Sequence, residues 1–74
     1  MIITGRRFTI IGEALFGATK WYPVLAQMTG FDRRQIWRCA IGKAKVPPEL
    51  RAKLSAICRA RGQALLRLAD DIDA

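Results

Sequence analysis

The chain has 74 residues, 51% of them hydrophobic and 26% charged, with 13 basic side chains against 6 acidic ones and a net charge of +7. That length holds one small domain, which excludes a two-domain enzyme with a deep cleft, and the composition is not that of a disordered chain. No apolar run approaches the roughly 20 residues of a membrane span, and two cysteines without any histidine cannot supply the three or four close ligands of a zinc site.

Residues 1–7 carry no periodic signal, and Ile2 and Ile3 are compatible with packing or with fraying. Gly5-Arg6-Arg7 interrupts the apolar residues after a few positions, unlike a secretion signal, so an intracellular, cytoplasmic setting is expected. A first helix is predicted from a Thr9 cap to a Gly17 stop, with Phe8, Ile11 and Leu15 as its apolar stripe. Gly12 inside it costs about 1 kcal/mol against alanine. A second helix starts near Lys20 behind a Thr19 cap; Pro23 falls in its first turn, where N–H groups lack helical partners. Trp21, Val24, Leu25 and Met28 supply its buried face, and Thr29-Gly30 stops it. A third follows, capped by Asp32, facing inward with Ile36, Cys39 and Ala40, and ended by Gly42. The next loop, Lys43 to Pro47, is basic and stiffened by proline.

Pro47-Pro48-Glu49 opens the longest pattern, with proline and an acid both suited to a helix start. Leu50, Leu54, Ile57, Leu65, Leu68 and Ile72 form its stripe, enough for one helix of about 24 residues, or some 36 Å at 1.5 Å per residue. The 11-residue step from Leu54 to Leu65, spanning Arg61 and Gly62, reads against a regular left-handed coiled coil and leaves a bend or break near Gly62 as the competing reading. The fold class is all-α: one domain over residues 1–74, a small bundle of four to five helices with a long C-terminal helix. Cys39 and Cys58 are read as buried small hydrophobes, since a cytosolic setting disfavours a disulfide between them.

The charge is unevenly placed. Arg33, Arg34, Arg38, Lys43 and Lys45 lie in one stretch without an acid, whereas the last five residues hold Asp70, Asp71 and Asp73. A concentrated cationic stretch marks a contact surface for a polyanion. It coincides with Tyr22 to Gly42, where two short helices meet across a turn of about four residues bent at Gly30. Ala26 is small enough for the helices to approach, Gly30 can take positive φ, and Leu25, Phe31, Ile36 and Cys39 face the core.

The pattern Leu25-Ala26, Gly30-Phe31, Ile36, Cys39, Gly42 resembles the helix-turn-helix of phage Cro and lambda-repressor-like regulators, over Trp21 to Pro47. The family more often has Trp at the position of Cys39, a polar or basic residue at that of Trp37, and an apolar one at that of Thr29; the first exchange would draw Trp37 inward. The resemblance implies a sequence-specific double-stranded DNA-binding regulator of phage or prophage kind, a repressor or autorepressor on a palindromic operator, with the third helix in the major groove. With Ile36 and Cys39 inward, Arg33, Arg34, Trp37 and Arg38 point outward as base-contact candidates, with Gln35 beside them. Arginine can pair bidentately with guanine, and the amide of Gln35 can read adenine. Thr19, Lys20, Lys43 and Lys45 are assigned to phosphates, and Trp21 and Phe31 to the core.

A module of this size offers a DNA interface of roughly 600–1,000 Å², so a homodimer on half-sites about 34 Å apart is expected. Leu65, Leu68 and Ile72 are its interface candidates, since that stripe exceeds what one small domain covers. No catalytic constellation, cofactor, metal or small-molecule ligand is expected, and a nucleoid-associated location follows from DNA binding. The competing readings are a helical module docking an acidic protein and a non-specific nucleic-acid binder.

Overall fold

The computed structural model describes residues 3–74, among which the regular elements are four helices: α1 (Gly5–Phe16), α2 (Trp21–Thr29), α3 (Arg33–Ala40) and α4 (Pro48–Asp73). Helices α1, α2 and α3 pack on one another, and α4 joins them through α2. Ile2 lies outside the described residues, while Ile3 packs against the core. No helix among these residues is long and apolar enough to cross a membrane.

Helix α1 begins earlier than its stripe predicts. Thr4, not Thr9, is the cap, its hydroxyl accepting from the Arg7 N–H at 3.2 Å. The Thr9 hydroxyl donates back to the Gly5 carbonyl at 3.0 Å, the bond a threonine makes inside a helix. Two glycines explain how α1 docks. A Cβ on Gly12 would collide with the Trp21 ring, so the glycine lets α2 close on α1. A Cβ on Gly5 would stand 2.7 Å from the Ala40 carbonyl oxygen, so the N-terminus of α1 abuts the C-terminus of α3. That meeting of opposite helix ends is electrostatically favourable.

The core comprises Phe8 and Leu15 from α1, Trp21, Leu25 and Ala26 from α2, Ile36 and Cys39 from α3, and Leu50 and Leu54 from α4. Phe8 meets Trp21 edge-on, with centroids 5.6 Å apart and planes at 79°. Burial of side chains this large stabilises by about 1.5–3 kcal/mol each. Helix α2 departs from prediction at both ends: Lys20 occupies its cap position without a side-chain bond, leaving Thr19 uncapping in the turn, and Met28 is 56% exposed. Thr19 is one residue too early to reach the first free N–H groups. Met28 misses the core because it faces α4 across an open groove, lined also by Phe16, Ile57 and Ala60, that no side chain fills.

Helix α4 is continuous for 26 residues, about 39 Å, with Pro48 in its first turn and no break at Gly62. Its two halves differ. Leu50 and Leu54 are buried and Ile57 half-buried, whereas every residue from Cys58 onward is exposed. Cys58 therefore corrects the expectation of a buried thiol; both cysteines are free. The projecting half stretches the molecule to 47 Å along its longest axis, against 26 and 21 Å for the others.

Candidate nucleic-acid interface

Helices α2 and α3 are joined by Gly30, Phe31 and Asp32. Gly30 is left-handed at φ 79°, and its N–H donates to the Ala26 carbonyl at 2.9 Å, which ends α2. A side chain other than glycine would be strained there. Asp32 then caps α3: its carboxylate accepts from the Arg34 N–H at 2.8 Å, and the Gln35 side-chain oxygen accepts from the Asp32 N–H at 3.2 Å. This reciprocal capping box orients α3 from its first residue.

The far end of α3 is equally well terminated. Gly42 takes φ 80°, Lys43 N–H donates to the Arg38 carbonyl at 2.9 Å, and Gly42 N–H to the Cys39 carbonyl at 3.2 Å. These two bonds are a Schellman closure, and they set the direction in which the basic loop leaves the helix. The Cys39 thiol, buried below the loop, donates to the Lys45 carbonyl at 3.6 Å. Burial pushes this thiol above its ordinary value of 9.0, against a smaller opposing pull from the Arg38 charge. It therefore remains a neutral donor at physiological pH.

Ile36 and Cys39 hold α3 in the core, and Arg33, Arg34, Gln35, Trp37 and Arg38 occupy its exposed face. Among the described residues none of Arg33, Arg34, Arg38, Lys43 or Lys45 is paired with a carboxylate. Their cationic field is thus uncompensated within the chain. Gln35 is exposed on the same face, and its side-chain oxygen accepts the cap bond from the Asp32 N–H.

Trp37 is not drawn into the space beside Cys39. It is 49% exposed and leans on Tyr22, with centroids 5.4 Å apart and planes at 49°. Tyr22 in turn meets Trp21 edge-on at 6.0 Å, so an aromatic row runs from the core to the arginine face. The small Cys39 is tolerated because Lys45 and the loop close over it. Thr29 is buried yet satisfied: its hydroxyl donates to the Leu25 carbonyl at 2.7 Å.

Lys43 and Lys45 line a groove of about 510 Å³ with Ile3, Thr4 and Gly5. Thr19 and Lys20 are exposed on the other connection, the turn between α1 and α2. Phe31 is half-buried against the core, with Leu25 and Ala26 fully packed beneath it. Sequence reasoning missed Lys53. Its ammonium donates to the Thr29 carbonyl at 2.7 Å and sits 5.7 Å from the Phe31 ring centroid, so α4 clasps the turn of the motif. No local pattern marks a lysine 24 residues downstream as the partner of a helix end; only the crossing of α4 over α2 does. Leu65, Leu68 and Ile72 are 56%, 57% and 82% exposed. No group of three or more potential metal ligands occurs among the described residues. Comparison of the chain with protein-family models, curated proteins and solved structures finds no match.

Proposed function

We propose that this chain is a sequence-specific double-stranded DNA-binding regulator of the Cro and lambda-repressor-like kind, a repressor or autorepressor that inserts α3 into the major groove of a palindromic operator. The observation that carries this reading is the face of α3: Arg33, Arg34 and Arg38 exposed without carboxylate partners, on a helix held from behind by Ile36 and Cys39 and capped at both ends. A rigid rod with outward guanidinium groups suits direct reading of guanine, each good pair discriminating by about 1–3 kcal/mol. Lys43 and Lys45, with Thr19 and Lys20, hold phosphates and set register rather than specificity. The protein is a binding protein, not an enzyme, and acts on the nucleoid.

Titration of labelled DNA from upstream of its own gene, at two salt concentrations, tests this. Arg34→Ala and Arg38→Ala are expected to lose affinity and relax base preference, whereas Lys43→Ala weakens all sequences alike and lowers the salt slope by about one. Equal losses for all three on specific and random DNA would remove sequence reading and leave the non-specific binder. One observation favours a second reading: a half-exposed Trp37 set among arginines has the composition of a protein-binding hot spot. Under that reading an acidic protein occupies the same face, and Trp37→Ala removes its binding while DNA affinity is absent throughout.

A further inference from the structure

We propose that Trp37, held in place by Tyr22, covers the C5-methyl group of a thymine in the major groove, beside a guanine taken by Arg33 or Arg34. That role rests on the DNA reading above, and it brings Tyr22 into the interface. Trp37 is the large apolar side chain among the exposed residues of α3. A ring that only filled space would be covered, as Trp21 is, whereas Trp37 is half exposed beside the arginines.

A row of rings fixes where the indole stands. Phe8 backs Trp21 in the core, Trp21 meets Tyr22 edge-on at 6.0 Å, and Tyr22 meets Trp37 at 5.4 Å. The indole is braced from the core outward, so holding it against a ligand costs little further side-chain entropy. Along α3 it stands four residues after Arg33 and three after Arg34, a neighbour of both on the helix surface at roughly 5–6 Å between Cβ atoms. Bases succeed one another at about 3.4 Å along a strand, so the group that Trp37 meets lies about one or two base pairs from the guanine.

The chemistry of the groove identifies that group. In a duplex the faces of the bases are covered by stacking, so their edges are what the major groove presents. Those edges carry donors and acceptors, which suit the guanidinium groups, and one apolar substituent, the thymine methyl. The face of an indole offers no hydrogen bond, so pressing it on a polar edge leaves that edge desolvated and unpaired. Covering a methyl instead removes apolar surface of both partners from water. Cytosine lacks this methyl and 5-methylcytosine carries it at the same place, so the contact also senses cytosine methylation.

The test is binding of the full chain to the duplex it selects from a random library, with single thymines replaced by deoxyuridine. That exchange removes the methyl and no hydrogen bond, and it needs no altered protein. At a thymine near the guanine that Arg33 or Arg34 reads, it is expected to weaken binding about fourfold, as for one buried methyl. At the same position 5-methylcytosine is expected to bind better than cytosine by the same factor. Trp37→Ala and Tyr22→Ala are expected to bind the thymine and uracil duplexes alike, whereas Tyr22→Phe, which keeps the ring, retains the wild-type ratio. A protein that selects no duplex would remove the DNA reading and this contact with it. A selected duplex without such a thymine, or bound equally well after every exchange, would overturn the methyl contact alone, as would a thymine preference that survives Trp37→Ala.

Discussion

Leu50 and Leu54 are sealed into the core, whereas Leu65, Leu66 and Leu68 of the same unbroken helix stand in solvent. Both halves of α4 carry the same apolar stripe, so the contrast separates two things that periodicity merges. A stripe establishes that a helix face is to be covered; it does not say by what. In the first half the cover is the shared core, which α4 joins through α2. In the second, none of the described elements covers it.

Substitutions in matching pairs sharpen the contrast. Leu54→Ala, in the core, is expected to cost about 2–5 kcal/mol, lowering the melting temperature of so small a domain by ten degrees or more. Leu65→Ala is expected to leave the melting temperature within error at the lowest workable concentration and to lower it only as concentration rises, read by calorimetry over a dilution series. A concentration-independent loss would place Leu65 in an intrachain core. The two helix-interior glycines make the second pair. Gly12→Ala drives a methyl into the Trp21 ring and is expected to destabilise by about 1–3 kcal/mol, despite the gain of helix propensity. At Gly62 a Cβ has nothing within 4 Å, so Gly62→Ala should stabilise the dilute protein by up to about 1 kcal/mol. Urea titration of both, at one low concentration, decides.

Lys53→Ala is expected to cost about 1 kcal/mol, by removing the charged donor at the C-terminus of α2. Hydrogen exchange at Gly30 and Phe31 should quicken more than in the rest of α2. The thiols give the smallest effect. Iodoacetamide at neutral pH is expected to label exposed Cys58 and to reach buried Cys39 only on unfolding. Because folding raises the Cys39 value above 9.0, the unfolded chain releases this proton first; the thiol's contribution is complete below pH 9 and declines as pH climbs above it. Cys39→Ser should flatten that alkaline decline in the unfolding free energy.

Local chemistry carried much of the candidate interface. Asp32 capping α3, Gly30 and Gly42 turning left-handed, and Ile36 and Cys39 facing inward are each set by a residue and its near neighbours. Errors arose where a distant element decided the outcome. Thr9 and Thr19 are both plausible caps on propensity, yet α1 starts at Thr4 because its end is seated against the carbonyls of α3. Met28 continues the apolar face of α2 and still lies exposed, since α4 stands off from it across an open groove.

The amino-acid order alone determined the helical kind of the elements, the glycine turns and the outward arginines of α3, because hydrogen-bond geometry and side-chain periodicity act within a few residues. The tertiary structure decided the clasp of Lys53 on the α2–α3 turn, the contact of Gly12 with Trp21, the lean of Trp37 on Tyr22, and the point along α4 where burial ceases. Those features depend on which helices cross and how closely, and close packing between residues remote in the chain leaves no local signal to read.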